Sequence, residues 1–231
     1  MHGAANVGER GDLAPGHASS LRLVATLALA GFFSGVVLCG VYLASAPRIA
    51  SNRAAALERA VLEVVPGAVA FSLMVAGADG RLTPADSSER IADVDPQVPE
   101  PARVYATRDA RGERVGYAIE AQGPGFMDTI RLLYGLDPAT GTVIGLRILA
   151  SRETPGLGDK IMYDPAFVES FRALSVEPEI VAVTRRPRRR SNEVDCIGGA
   201  TISSRAVVQI VAGSSARWLP LLAGRSRDGT E

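Results

Sequence analysis

The stretch that decides the fold covers residues 104–149 and reads VYATRDARGERVGYAIEAQGPGFMDTIRLLYGLDPATGTVIGLRIL. Short apolar segments rich in Val, Ile, Leu and Tyr are separated by clusters of turn residues, a pattern that predicts β-strands joined by hairpins. The turns are Asp109–Gly112 and Asp137–Gly141. The predicted strands are Val104–Arg108, Val115–Ala121, Thr129–Tyr134 and Val143–Leu149.

Helical patterns lie before and after these hairpins. Ser51–Val65 repeats apolar residues every three or four positions until Pro66-Gly67, and Ser203–Leu222 does the same around Val207, Val208, Ile210 and Val211. Asp164–Arg172 predicts a short helix with Asp164 as its N-cap. Further strands are predicted at Ala68–Ala76 and Glu179–Val183, with a polar loop at Asp79–Pro101. The fold class is therefore α+β, with a largely antiparallel sheet flanked by helices.

Composition narrows the class of protein. With 231 residues and 47% hydrophobic residues, the chain suits one globular domain with additional segments and is not disordered as a whole. The formal net charge is zero, so no overall basic field favours nucleic acid as a partner. The chain has only two cysteines, Cys39 and Cys196, which do not suit a disulfide scaffold. Together with only two histidines, both near the N-terminus, they also do not suit a zinc or iron–sulfur site held by the protein.

Leu23–Ala46 is an uncharged apolar run bracketed by Arg22 and Arg48. As a helix it spans about 36 Å, enough to cross a hydrocarbon core of roughly 30 Å. Ala44-Ser45-Ala46 also resembles a signal-peptide cleavage site, but the run exceeds the usual apolar segment of such peptides. We therefore expect an uncleaved single-pass anchor. Arginines flank both ends in similar number, so charge alone leaves its orientation open.

These features divide the chain into five predicted segments. They are a disordered tail (1–20), a transmembrane anchor (21–47), a linker helix (48–67), a folded domain (68–223) and a flexible C-terminus (224–231).

One candidate for chemistry is Asp195–Ser204, where glycines lead into a cluster of hydroxyl residues that begins a helix. Helix N-termini carry unpaired N–H groups and bind phosphate readily. Gly199 lets a ligand approach the backbone, and Thr201 and Ser204 lie on one side of the first turn. The alternative is that Ser203 or Ser204 only caps the helix.

A second candidate is Glu153–Lys160, where Pro155-Gly156 imposes a turn whose amides can face a planar ligand. The alternative is an ordinary connection between a strand and a helix. Gly123–Phe126, taken alone, predicts a turn and nothing more. The arginine run Arg185–Arg190 is either a solvated loop or a contact for an anionic partner.

Taken together, Glu153-Thr154-Pro155-Gly156-Leu157-Gly158-Asp159-Lys160-Ile161 and the later Gly199-Ala200-Thr201-x-x-Ser204 resemble the FMN-binding domain of the Rnf and Nqr electron-transport complexes. Asp159-Lys160 and the modest chain length favour the G subunit of Rnf. The resemblance covers the anchor, the helix after it and most of residues 115–220. It implies one FMN-binding domain behind a single anchor in the bacterial inner membrane, with that domain in the periplasm and the tail 1–20 in the cytoplasm.

The resemblance also implies roles for individual residues. Thr201 would carry FMN through a phosphoester, and Asp195 would belong to the sequence that a flavin transferase recognises. Thr154, Leu157 and Gly158 would contact the flavin ring, while Gly199, Ala200 and Ser204 would surround the phosphate. Gly198 departs from the family, which usually has Ser or Thr there. No side chain is expected to act as a general acid, base or nucleophile.

The resemblance thus predicts an electron-carrying subunit of an ion-translocating ferredoxin:NAD⁺ oxidoreductase. Its partners would be the other membrane subunits and, during maturation, a flavin transferase. The alternatives are a membrane-tethered binding module that has lost its flavin, which Gly198 would favour, and the FMN subunit of another complex such as a Na⁺-translocating NADH:quinone reductase.

Overall fold

The computed structural model describes residues 17–76, 82–84, 103–184 and 190–226. Two compact units divide the chain, Met1–Ser51 and Asn52–Glu231. The predicted tail before residue 17, most of the loop Asp79–Pro101, Arg185–Arg189 and residues 227–231 lie outside the described residues. The elements are α1 His17–Val64, β1 Ala70–Ala76, β2 Leu82–Pro84, β3 Val104–Arg108, β4 Arg114–Pro124, β5 Thr129–Asp137, β6 Thr142–Ala150, a 3₁₀ helix Gly158–Met162, α2 Pro165–Glu169, β7 Leu174–Ser175, β8 Val181–Val183, β9 Glu193–Asp195 and α3 Thr201–Ser226.

The first unit contains the predicted anchor. Large apolar side chains between Leu21 and Leu43 are exposed, and the helical stretch Ser20–Val64 is long and apolar enough to cross a membrane. Two details differ from the sequence prediction. His17–Ser20 are already helical, and α1 continues through Pro47 instead of ending there. Thr201–Ala223 is also long and apolar enough, but 44% of its apolar 18-residue window is buried, as in the core helix of a domain.

The second unit is built on one antiparallel sheet of seven strands in the order β2-β1-β3-β4-β5-β6-β7. Both predicted hairpins are confirmed. Gly112 and Gly141 have positive φ angles of 82° and 65° in their turns, a conformation that glycine adopts without strain. The α+β class with a largely antiparallel sheet is therefore confirmed.

One face of the sheet receives the end of α1. Val61, Val64 and Val65 are buried there against Tyr105 and Leu133, among other apolar residues. The approach is close because Gly135 and Gly145 face each other across β5 and β6 beneath this helix. A Cβ atom would lie 2.2 Å from the Val64 carbonyl oxygen at Gly135 and 2.4 Å from it at Gly145. Only glycine fits at these two positions.

The opposite face carries α3 and the larger core. Val207, Val208 and Val211 are buried, as the sequence pattern predicted, and Trp218 is buried further along the same helix. Tyr134 on β5 donates a hydrogen bond of 2.9 Å to Ser214. The helix therefore lies directly on the central strands, and its N-terminus has a fixed position relative to them.

The remaining differences from the sequence prediction concern short strands and helices and the two ends of α3. Strand β2 lies within the predicted polar loop, and the strand predicted at 179–183 is Val181–Val183, which pairs in parallel with β9. Asp164 caps α2 as predicted, accepting a hydrogen bond of 3.0 Å from the Phe167 N–H, but the helix ends at Glu169. Helix α3 begins at Thr201 and ends at Ser226, two residues before and four beyond the predicted bounds. These elements are short or terminal, where tertiary contacts decide the bounds.

Candidate functional site

Three segments that are far apart in sequence meet at the side chain of Glu153. Its Oε1 accepts hydrogen bonds from the backbone N–H groups of Phe126 (2.9 Å) and Met127 (3.0 Å). Its Oε2 accepts one of 2.5 Å from the hydroxyl of Ser203, in the first turn of α3. We call this arrangement the Glu153 clamp. It joins the turn after β4, the segment after β6 and the start of α3.

Two glycines make room for the Glu153 clamp. A Cβ at Gly125 would lie 2.4 Å from Glu153 Oε1. A Cβ at Gly158 would lie 2.7 Å from Ser203 Oγ and 2.8 Å from Glu153 Oε2. Any larger residue at these positions would displace the carboxylate or its partners.

The carboxylate of Glu153 is only 5% exposed. Burial raises the pKa of this group. Hydrogen bonds from Ser203 and from three backbone N–H groups of the turn at Phe126–Asp128 lower the pKa by more than burial raises it, so the net pKa lies below its ordinary value. Glu153 is therefore a buried anion at neutral pH. No arginine or lysine among the described residues forms an ion pair with it.

The predicted phosphate segment forms the start of α3. Gly199 has a positive φ of 80°, Ala200 is buried, and the half-buried Thr201 is the first helical residue. The backbone bonds of the helix begin with Ser204 N–H to Ala200 O, at 2.9 Å. Residues 201–203 come before that bond, so their N–H groups have no partner in the helix. Such unpaired donors bind anions at helix N-termini.

The hydroxyl of Ser204, which was expected near the phosphate, has a partner within the chain. Its side chain is fully buried, and its hydroxyl accepts a hydrogen bond of 3.1 Å from the N–H of Ile197. This contact folds the loop before α3 back onto the helix. Neither Ser203 nor Ser204 acts as the N-cap, because the helix begins before both of them.

The turn at Thr154–Gly158 lies beside the same loop. The Thr154 carbonyl accepts bonds from the N–H groups of Leu157 (3.2 Å) and Asp159 (3.3 Å). Leu157 is 51% exposed, and its Cδ2 is 3.9 Å from the point where a Cβ of Gly199 would lie. The Ser203–Glu153 hydrogen bond joins the same two segments, so the two predicted motifs are in contact.

Exposed apolar side chains surround this place. Phe126 and Met127 extend from the turn held by Glu153, and Ile202 follows Thr201. All three are more than half exposed. Exposed apolar side chains on segments that meet at one point are typical of a surface that binds a ligand or a partner. The sequence pattern predicts no role for Gly123–Phe126 beyond a turn, and it does not indicate that Glu153 and Ser203 connect the segments.

Asp195 and Gly198 lie at the entrance to α3. Asp195 ends β9, next to Val183 of β8, and its Oδ1 is buried without a hydrogen-bond partner among the described residues. Gly198 is exposed, and a Cβ there would meet no atom within 4 Å. A serine or threonine would fit at this position without displacing a neighbour.

A cavity of about 460 Å³ lies elsewhere, between β4 and α3. Its lining includes Gly123, Ile210, Ser214 and Trp218. None of the predicted site residues lines it, so the candidate site is the convergence of turns around Glu153 and not this cavity.

Comparison with known proteins fits this geometry. The family model "FMN-binding domain" matches residues 125–214, an interval that holds the Glu153 clamp and both motifs. The G subunit of the ion-translocating oxidoreductase complex of Pasteurella multocida is 30% identical over 191 residues, covering 82% of this chain and 88% of that relative. The G subunit of the Na(+)-translocating ferredoxin:NAD(+) oxidoreductase complex of Acetobacterium woodii is 35% identical over 133 residues, 56% of this chain and 62% of that relative. The latter match therefore spans less than two thirds of the relative.

Two solved structures share the fold. NqrC of Shewanella oneidensis superposes with a TM-score of 0.55 at 19% identity, covering 74% of this chain and 99% of that one. The C subunit of the Na(+)-translocating NADH-quinone reductase of Parabacteroides distasonis gives 0.52 at 21% identity, with coverages of 67% and 78%. The resemblance drawn from the two motifs is confirmed by the sequence match to the Pasteurella protein across most of both chains, and the chain belongs to the family of G subunits of ion-translocating oxidoreductase complexes.

Proposed function

We propose that this chain is a membrane-anchored flavoprotein subunit that carries FMN on Thr201 and relays electrons within an ion-translocating ferredoxin:NAD⁺ oxidoreductase complex. The observation that carries the proposal is the position of Thr201. It is the first residue of α3, beside the Thr154–Gly158 turn, within the region that matches the FMN-binding domain.

The residues present fit this cofactor. An FMN phosphate esterified to Thr201 would lie at the N-terminus of a 26-residue helix, where the unpaired N–H groups and the helix dipole favour an anion. Gly199 leaves the backbone open on one side of this position. The exposed side chains of Phe126, Leu157 and Ile202 offer apolar surface to a planar ring.

Each of these residues would then have a separate role in binding FMN. The first turn of α3 binds the phosphate, and the Thr154 hydroxyl with the Leu157-Gly158 backbone orients the ring. Ala200 and Ser204 shape the loop behind Thr201. FMN itself supplies the redox chemistry, and the protein supplies attachment, orientation and electrostatics.

Maturation requires a flavin transferase, and we assign Asp195 to the sequence that this enzyme recognises. The exposure of Gly198 supports access to the loop from solvent. Because a Cβ there would meet no neighbour, Gly198 removes no contact within the chain. Glycine at this position therefore leaves the packing of the loop unchanged.

The predicted anchor bears on where the protein lies in the cell and on its partner subunits. We propose that α1 crosses the bacterial inner membrane once, with the second unit in the periplasm and the other membrane subunits around the helix. Small residues along it, such as Gly31, Ser34 and Gly35, favour close helix packing. A C-terminal reporter that is active only in the cytoplasm would contradict this orientation.

Intact mass and in-gel fluorescence test the attachment. Protein coexpressed with a flavin transferase should exceed its sequence mass by one FMN minus one water, and its flavin fluorescence should survive denaturation. Thr201→Ala should abolish both signals. Thr140→Ala, which removes a threonine hydroxyl from the exposed turn between β5 and β6, should keep them. Fluorescence that persists in Thr201→Ala would refute the assignment.

A further inference from the structure

The Glu153 clamp holds a charge that the fold does not neutralise. Its carboxylate is buried, and its partners are neutral donors, namely backbone N–H groups and the Ser203 hydroxyl. No cationic side chain among the described residues forms an ion pair with it. Neutral donors stabilise the anion and offset its negative field only in part, because they bring no net positive charge.

This charge lies between the two ends of the proposed flavin site. Thr154, the proposed ring contact, directly follows Glu153 in sequence. Ser203, which donates to Glu153 across 2.5 Å, lies in the same helical turn as Thr201, the proposed attachment residue. One side chain thus connects the segment that would orient the ring with the segment that would hold the phosphate.

Resting on the proposed flavin attachment, we propose that Glu153 is a positioning residue with an electrostatic role. It holds Thr154 and Thr201 in a fixed relation, and its negative charge lowers the reduction potential of the bound flavin. An electron that enters the ring adds negative charge, and a fixed anion held nearby in a buried site opposes it.

Two variants separate charge from shape. Glu153→Gln keeps the side-chain length and an oxygen that accepts from Phe126 and Met127, while its amide can donate to Ser203, so it removes the charge and keeps the contacts. Ser203→Ala keeps the charge and removes one donor that stabilises it. In spectroelectrochemical titrations of flavin-loaded, full-length protein, the midpoint potential should be higher than wild type in Glu153→Gln and lower in Ser203→Ala.

The outcomes are distinguishable. If both variants carry flavin and keep the wild-type potential, Glu153 has a structural role only and the proposal is overturned. If Glu153→Gln does not fold or take up flavin, Ser203→Ala alone decides, and an unchanged or raised potential there overturns the proposal. If the wild-type protein carries no flavin, its intact mass will equal the sequence mass. That result would refute the proposed function together with this role of Glu153.

Discussion

Glycines make room for a neighbour at two places in this protein, and the neighbours differ. Under the end of α1, Gly135 and Gly145 face a backbone carbonyl, that of Val64. At the candidate site, Gly125 and Gly158 face the carboxylate of Glu153, with the Asp128 carbonyl also beside Gly125 and the Ser203 hydroxyl beside Gly158. A backbone carbonyl at the end of a helix cannot move without displacing the chain on both sides of it, whereas a side-chain tip can rotate. The first pair therefore fixes the fold, and the second fixes the geometry of the site.

Gly145→Ala should have the largest effect. Its Cβ would lie 2.4 Å from the Val64 carbonyl oxygen and 3.0 Å from the Val64 Cα, so the helix and the sheet must separate. We expect a loss of about 3 kcal/mol in the free energy of unfolding, the upper part of the range for overpacked cores. Urea unfolding followed by the fluorescence of Trp218, the single tryptophan, measures it.

Gly213→Ala is the matched control for that substitution. Gly213 lies in α3, where a Cβ would meet no atom within 4 Å. Since alanine is the better helix former by about 1 kcal/mol, this variant should be as stable as wild type or more so. Equal losses in the two variants would refute the role of Gly145 beneath α1.

Gly158→Ala should have a smaller effect on stability and a larger one on the site. The new Cβ would press on Ser203 Oγ and Glu153 Oε2, which can move, and on Glu153 Cβ at 2.9 Å, which can move less. We expect a loss of about 2 kcal/mol and reduced flavin incorporation, measured by urea unfolding and in-gel fluorescence. Adding Ser203→Ala should recover part of the stability loss, because contacting residues are not additive. Strictly additive losses would show that the Ser203 hydroxyl is not the obstacle.

The pH dependence of stability tests the charge of Glu153. Its native pKa lies below the ordinary 4.5, so the ionised form stabilises the fold. This contribution is fully present above pH 4.5 and is lost as the pH falls through the native pKa. The difference in unfolding free energy between wild type and Glu153→Gln should therefore be constant near neutral pH and shrink in acid, as the carboxylate takes up its proton. A difference that stays constant throughout would show that the carboxylate contributes through its shape alone.

Gly198→Ser should have the smallest effect. The position is exposed and open, so stability should stay within about 0.5 kcal/mol of wild type. It introduces the hydroxyl that the resemblance implies at this position, so flavin incorporation should match or exceed that of wild type. A destabilised or colourless variant would mean that the loop before α3 packs more closely than the structure indicates.

Much of the fold followed from local patterns in the sequence. The turns at Asp109–Gly112 and Asp137–Gly141, the cap at Asp164 and the apolar side of α3 rest on interactions between residues a few positions apart. Propensity and periodicity report such interactions directly. The two motifs around Thr154 and Thr201 were likewise visible as short strings, and they led to the correct family.

The sequence by itself therefore determined the hairpins, the apolar anchor segment and the positions of the motifs, while the tertiary structure decided how the motifs meet. Glu153 contacts Phe126 and Ser203 across 27 and 50 residues, and no local pattern indicates which distant donors a carboxylate will find. The parallel pairing of β8 with β9 and the burial of the Ser204 hydroxyl also depend on how the chain returns to itself. The physical reason is that these contacts form only when the sheet and α3 have fixed the ends of the connecting segments.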